Sequence, residues 1–240
     1  MNLPDYAGAT HTGRVRDHNE DRWLALPELG LWIVADGIGG QAAGEVASTL
    51  AVERIEACAR KGMSLEASIA AANKAILAAP QTGHGRPGMG TTVVALAIKN
   101  HHYQVAWLGD SRAYLWNSKG LTQISHDHSY VQELLDNGEI TPDEAAIYPY
   151  RNIIMRCLGA KDSERVLVDT VDGELHTGDR LLLCTDGLTG EITDDAIKAV
   201  FDAGFNDQAT ADRLVQSALD LGGSDNITVV VVSAPANGEY

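Results

Sequence analysis

Leu31-Trp32-Ile33-Val34-Ala35-Asp36-Gly37 is the stretch on which the reading of the whole chain turns. Five apolar residues in a row, with no polar alternation, describe a strand buried on both faces. The run stops at a carboxylate and a glycine. Leu181-Leu182-Leu183-Cys184-Thr185-Asp186-Gly187 repeats the pattern far downstream. Around these two, short β-branched or apolar runs read as further strands: Trp23–Leu26, Thr92–Ile98, Tyr103–Leu108, Ala113–Trp116, Val166–Val171 and Ile227–Val232. Asn100-His101 supplies a tight turn between two of them.

Ala-rich stretches at Gln41–Ala59 and Leu65–Ala78 read as helices, the second capped by Ser64, and two more fit Asp194–Phe201 and Gln208–Leu221. The strands come in sequential hairpin-like pairs and the long helices are grouped, which favours antiparallel sheets covered by helices over a doubly wound parallel fold. The segment 129–159 differs. A helix ending near Asn137-Gly138 is followed by Thr141-Pro142-Asp143-Glu144, with Thr141 as cap, Pro142 in the first helical position and Glu144 closing a capping box. It reads as a small helical flap on one domain spanning residues 1–240, since no repeat, low-complexity tract or linker divides the chain.

Of the 240 residues, 45% are hydrophobic, enough for a sizeable core, but only 5% are aromatic, so Val, Ile, Leu and Ala must fill it. Against 33 Asp and Glu stand 18 Lys and Arg, a formal charge of −15. That field repels nucleic-acid phosphates and anionic lipid and suits cations. Cys58, Cys157 and Cys184 are odd in number and widely spaced, which argues against a disulfide framework and for a reducing compartment. The first residues lack the basic start and apolar run of a signal peptide, and no apolar stretch is long enough to span a bilayer. A cytoplasmic monomer is the expectation.

The positions of the acids carry the functional reading. Asp36 and Asp186 end apolar runs, Asp225-Asn226 precedes Ile227–Val232, and Asp110 follows Val105–Leu108 within Gly109-Asp110-Ser111-Arg112. Arg16-Asp17-His18-Asn19-Glu20-Asp21 lies just ahead of a strand. Any one Asp-Gly pair is a common turn. Four strand-edge aspartates meeting at one place would repel one another unless cations sat among them. Hard oxygen donors without Cys or His at ligand spacing point to Mg²⁺ or Mn²⁺, and two such ions can activate a bridging water and clamp a phosphoryl group.

These motifs resemble the metal-dependent protein phosphatases, the PPM or type 2C family, in the compact bacterial form. The matching stretches are Arg16-x-x-Asn19-Glu20-Asp21, Val34-Ala35-Asp36-Gly37-Ile38-Gly39-Gly40 with Gly44-Glu45 and Ala47-Ser48, Gly90-Thr91-Thr92, Gly109-Asp110-Ser111-Arg112, Asp127-His128-Ser129, Cys184-Thr185-Asp186-Gly187-Leu188, and Gly223-Ser224-Asp225-Asn226-Ile227-Thr228. The resemblance implies an α+β fold, a four-layer α-β-β-α sandwich of two antiparallel sheets flanked by helices, with the segment 129–159 as the flap bordering the cleft. It assigns Asp36 to bridge two metals, Gly37 as a carbonyl ligand, and Asp186 and Asp225 to complete the first ion. Asp110 with Asp186 would hold a third, so that two to three Mn²⁺ or Mg²⁺ ions bind per chain. Glu20 and Asp21 would reach metal-bound water, and Arg16 would grip the substrate phosphate, whose oxygens a guanidinium can bond in a bidentate fork.

The implied activity is hydrolysis of phosphoserine and phosphothreonine in proteins by in-line attack of a metal-bridging hydroxide, with a bacterial Ser/Thr kinase and its substrates as the opposing system. The chain departs from the family at two places. Ile38 stands where eukaryotic members carry a histidine proposed as general acid, and Gln41 where many bacterial relatives carry one; neither is an acid.

Other readings lack their context. Gly37-Ile38-Gly39-Gly40-Gln41-Ala42 fits a loose dinucleotide fingerprint, but Thr49–Lys61, where the second strand should be, has a helical pattern. No cysteine has an arginine six residues on, which removes the cysteine phosphatases and leaves Cys58, Cys157 and Cys184 as small buried hydrophobes. His126-Asp127-His128 is expected to serve as hydrogen-bonded structure rather than as a ligand set, and Gly109-Asp110-Ser111-Arg112 as turn plus metal ligand. A small-molecule phosphoesterase on the same site, or a non-catalytic phosphoprotein-binding sensor, are the alternatives of other classes.

Overall fold

The computed structural model describes residues 3–39, 43–160 and 166–235. The run Leu31–Ala35 forms a strand whose side chains part to opposite sides: Leu31, Ile33 and Ala35 enter one buried cluster, Trp32 and Val34 another. Arg180–Cys184 does the same, sending Leu181 and Leu183 inward and Leu182 and Cys184 outward. Ile227–Ser233 follows suit, with Val230 and Val232 inward and Val229 and Val231 outward. Three clusters separated by two sheets make four layers. Unbroken apolar runs are therefore what the middle of such a sandwich requires.

In chain order the strands of the first half are β1 (Tyr6–His11), β2 (Arg22–Leu26), β3 (Leu31–Ala35) and the short β4 (Gly37–Ile38). Helices α1 (Ala43–Ala59) and α2 (Leu65–Ala78) come next, then β5 (Gly90–Thr91), β6 (Val93–Lys99), β7 (His102–Leu108), β8 (Arg112–Asn117) and β9 (Gly120–Gln123). Helices α3 (Tyr130–Asp136) and α4 (Pro142–Ala146) precede β10 (Asp169–Glu174) and β11 (Arg180–Cys184). The chain closes with α5 (Asp186–Thr189), α6 (Asp194–Asp202), α7 (Asp207–Leu221) and β12 (Ile227–Ser233).

One sheet has the order β1-β12-β11-β8-β9 and the other β10-β7-β6-β3-β2, every pair antiparallel. Helices α1 and α2 cover the second sheet, and α5, α6 and α7 the first. Leu181, Leu182 and Leu183 are wholly buried, each contributing about 1.5–3 kcal/mol by leaving water.

Most local expectations hold. Ser64 accepts the Ala67 N–H as cap of α2, and Thr141 with Glu144 forms the capping box of α4 behind Pro142. Helix α3 gives way to Asn137 and to Gly138 at φ 69°. Asn100, at φ 60°, turns β6 into β7 in the left-handed conformation that asparagine tolerates. Gln41 and Ala42, expected at the start of α1, lie outside the described residues.

Three expectations need correction. The strand read at Val166–Val171 runs instead over Asp169–Glu174, because Val166 and Val168 pack against the helix-side cluster while Asp169 is the first residue to pair with β7. Asp186-Gly187 opens the short helix α5 rather than a turn. Cys58 and Cys184 are buried as expected, but Cys157 is only half-buried.

Candidate active site

Antiparallel pairing decides where the acids meet. Ala35 at the end of β3 pairs with Arg22 at the start of β2, and Val93 at the start of β6 with Leu108 at the end of β7. Asp36, Asp21, Thr92 and Gly109 therefore leave one sheet at a single edge. In the facing sheet Cys184 pairs with both Arg112 and Val229, which sends Asp186, Ser111 and the residues before Ile227 to the corresponding edge. The two edges form one cleft.

Electrostatics reports the convergence. Burial first, then the charges of Asp21, Asp186 and Asp110, push the Asp36 carboxyl well above the usual carboxylate range, and its side chain is hydrogen-bonded to Asp186. Burial and Asp225 raise Asp186 in turn. Asp110 is pushed up to about 8 by burial and by Asp186 and Asp127. Asp21 rises to about 7, mainly through burial, although Thr228 and Thr185 donate hydrogen bonds to it. Asp36 and Asp186 each keep part of their surface open to the cleft, whereas Asp21 and Asp110 are 3% and 7% exposed. Two carboxyls can bond each other only while one holds a proton, so the cleft is short of positive charge.

Arg16 supplies some of it at the rim, donating from Nη2 to Asp225 Oδ2 at 2.7 Å with its side chain about half exposed. Burial works against its charge, but Asp225, Asp186 and Asp36 outweigh that and raise its pKa. The Glu20 carboxyl is raised by burial, while the N–H groups of Gly44 and Glu45, in the first turn of α1, hold it in place. That packing needs two glycines. A Cβ on Gly37 would lie 2.3 Å from the Gly44 carbonyl oxygen, and one on Gly44 would lie 2.6 Å from the Gly37 carbonyl carbon.

Five buried side-chain polar atoms lack a hydrogen-bond partner among the described residues, and three are Asp21 Oδ1, Asp110 Oδ1 and Asp186 Oδ1. Buried polar atoms are rarely left unpaired. Three orphan carboxylate oxygens in one cleft are the donor set of a hard divalent cation, so the residues fit the metals expected from the sequence. No three His, Cys, Asp or Glu among the described residues already form a ready ligand group. Asp36 and Asp186 are bonded to each other and Asp225 to Arg16, contacts that a cation would replace.

Residues that are not acids hold the acids in place, and their roles were not read from the sequence. Thr92 Oγ1 accepts from the Asp36 N–H at 3.0 Å, the Thr92 N–H donates to the Asp36 carbonyl at 2.8 Å, and Thr91 Oγ1 donates to the same carbonyl at 2.7 Å. Thr92 Oγ1 also bonds Ser111 Oγ at 2.7 Å, beside Asp110. Asn226 Oδ1 accepts the Glu20 N–H at 2.7 Å, and its Nδ2 donates to the carbonyls of Thr12 and His18. Arg22 donates to the carbonyls of Asn19 and Asp21. In a strand, a buried Thr passes for a β-branched space-filler; the signals were two adjacent threonines beside an acidic edge and the place of Gly90-Thr91-Thr92 among the family's motifs.

His126-Asp127-His128 is structural, as expected. Asp127 accepts a forked pair of bonds from Arg112, His126 pairs with Asp136, and His128 is wedged between Gly109 and Asp169. Of the two positions at which the chain departs from the family, Ile38 lies in β4 and Gln41 is outside the described residues.

The same four-layer fold is found in bacterial serine/threonine phosphatases of known structure. The crystal structure of Mycobacterium tuberculosis PstP/Ppp superposes with a TM-score of 0.89 at 38% identity, covering 97% of this chain and 99% of that one. The PstP catalytic domain in complex with two manganese ions superposes at 0.87 with 36% identity, covering 97% and 99%. In sequence, the chain is 39% identical to M. tuberculosis PstP over 94% of its own length but only 44% of that protein. It is 36% identical to the serine/threonine phosphatase stp of Listeria monocytogenes, covering 93% of both. The Protein phosphatase 2C family profile matches residues 7–220. The chain belongs to the protein phosphatase 2C family.

Proposed function

We propose that this chain is a metal-dependent protein phosphatase that hydrolyses phosphoserine and phosphothreonine in other proteins. The observation that carries this reading is the convergence of Asp21, Asp36, Asp110 and Asp186, with three unpartnered buried oxygens, beneath an exposed arginine. The relatives' names support the substrate class, and the manganese complex of PstP supports the metal.

Asp36 would hold two Mn²⁺ or Mg²⁺ ions with the Gly37 carbonyl, Asp186 and Asp225; Asp110 with Asp186 would hold a third, and Glu20 and Asp21 would orient water around them. Bound, these ions supply the positive field that activates water and neutralises phosphoryl oxygens. Arg16, freed from Asp225, grips the phosphate and orients it for in-line displacement. Thr91 and Thr92 fix the backbone of Asp36, which would keep its carboxylate aimed at the ions without reorganisation. Ile38 has no proton to give, so the proton for the leaving serine or threonine oxygen comes from water or from a group other than residue 38.

The segment 129–159 acts as the flap beside this cleft within one catalytic domain. The fitting partners are phosphorylated proteins, with a bacterial Ser/Thr kinase and its substrates as the opposing system. No helix among the described residues is long and apolar enough to cross a membrane; action as a monomer in the cytoplasm is part of the same proposal. Turnover of a phosphothreonine peptide should require added Mn²⁺ or Mg²⁺ and stop in excess EDTA. Full turnover in EDTA, or preference for nucleotide or sugar phosphates over the peptide, would overturn the reading.

A further inference from the structure

His128 has bonds in three directions. Its ring Nδ1 accepts the Gly109 N–H at 3.0 Å, and its own N–H donates to the Gly109 carbonyl at 2.9 Å, so both polar groups of Gly109 are held by one residue. Because Nδ1 accepts, Nε2 carries the hydrogen and donates to Asp169 Oδ2 at 3.0 Å. Its carbonyl accepts the Met155 N–H at 2.7 Å. Arg156, next along, donates to Asp169 Oδ2 at 3.3 Å and Oδ1 at 3.2 Å, and also to the Leu167 carbonyl. Trp107 stacks on the ring at 15° and 6.4 Å. An unbroken set of contacts thus runs from the end of the segment 129–159 to the residue before Asp110.

Gly109 needs such a clamp. It sits at φ +113°, a conformation L side chains rarely adopt, and a Cβ there would lie 2.6 Å from Thr92. Nothing in a glycine's own preferences selects this one conformation from the many open to it. The direction of Asp110 follows from it.

We propose that His128 is a positioning residue for the reaction: its ring fixes the Gly109 turn, and with it the Asp110 carboxylate, and ties that carboxylate through Asp169 and Arg156 to the segment 129–159. The link from Asp110 to catalysis rests on the phosphatase reading above; the clamp itself does not. Burial lowers the ring's pKa against the opposing influence of Asp169, with Arg156 and Asp127 also facing it, so the ring is neutral near pH 7 and its Nδ1 is free to accept.

Two variants separate the ends of the imidazole. In His128→Asn the amide oxygen takes the place of Nδ1 and keeps the Gly109 bond but loses Asp169. In His128→Gln the amide nitrogen takes the place of Nε2 and keeps Asp169 but loses Gly109. Amide exchange of Gly109 in the metal-free protein should be about tenfold or more faster in His128→Gln than in wild type and near wild type in His128→Asn. Calorimetric Mn²⁺ titration should show the weakest site loosened about 10–100-fold in His128→Gln alone, the range for partners that orient metal ligands. Equal exchange in both variants, or unchanged Mn²⁺ affinity in His128→Gln, would overturn the proposal. So would a ring protonated on Nδ1 in wild type, read by ¹H–¹⁵N correlation, which needs no variant. If wild type neither binds Mn²⁺ nor hydrolyses phosphopeptide, the phosphatase reading fails, while the exchange result still decides the clamp.

Discussion

Thr185 Oγ1 donates to Asp21 Oδ2 at 2.9 Å, joining two residues 164 positions apart across the two sheets. The same hydroxyl accepts the Thr228 N–H at 3.1 Å. It serves a buried acid that already has one unpartnered oxygen. Thr185→Val keeps the shape and removes both bonds, and an unsatisfied buried group costs about 1–3 kcal/mol. The urea midpoint should fall accordingly, and Thr185→Ser should recover most of the loss. A Val variant as stable as wild type would show that the hydroxyl contributes nothing.

Asp36 is held among like charges, so activity and metal-free stability should move in opposite directions at this position. Asp36→Asn should lower turnover by about a hundredfold or more, since it removes the charge expected to hold two ions. Without metal, the same change relieves crowding by Asp21, Asp186 and Asp110, and melting should occur a few degrees higher, at about 2–4 °C per kcal/mol for a chain of this size. Saturating Mn²⁺ should stabilise wild type by about 2.7 kcal/mol at a hundred times its Kd and the variant much less. Thermal melts with and without Mn²⁺ test both.

Arg16 is half exposed, so its bond to Asp225 contributes at most about 1 kcal/mol to folding. Arg16→Ala should therefore leave the melting temperature nearly unchanged and raise KM for a phosphopeptide about tenfold, with a smaller effect on kcat. An unchanged KM would remove Arg16 from phosphate binding.

Acid should act through His128 and Asp169. Burial depresses His128 below its ordinary 6.5, so its contribution to stability is complete above that pH and is lost as pH falls through the lowered value. Asp169 is pushed up by burial but held below 3.8 by its bonds to Arg156 and His128, so its share goes at still lower pH. Asp21 and Asp110 are raised and act in the opposite sense, losing stability as pH rises. The informative quantity is therefore a difference between proteins. Below pH 6.5, His128→Asn should lose stability less steeply than wild type in parallel melts; identical slopes would show that His128 does not titrate there.

The sandwich was legible because β3, β11 and β12 are apolar on both faces, the pattern that a strand between two covered layers requires. β1 was not, since Tyr6-Ala7-Gly8-Ala9-Thr10-His11 carries too little bulk to announce itself and owes its place to pairing with β12. The acids of the cleft were legible because each follows or precedes an apolar run. Their supports were not. Asn226 reaches Glu20 and Thr185 reaches Asp21 across more than 150 positions of chain, and no local pattern encodes such a meeting. Val166–Val171 misled because side chains of the right type turn toward a helix instead of a neighbouring strand.

The alternation along β11 has a consequence for how tightly sequence and cleft are bound together. Leu181 and Leu183 look inward while Leu182 looks toward α6 and α7, so deleting a single leucine would leave the strand just as greasy yet swing Asp186 to the wrong side of the sheet. Hydrophobic phase thus acts as a gunsight for the carboxylate. A homologue could exchange nearly every interior side chain and keep its aim, but could not afford to miscount by one.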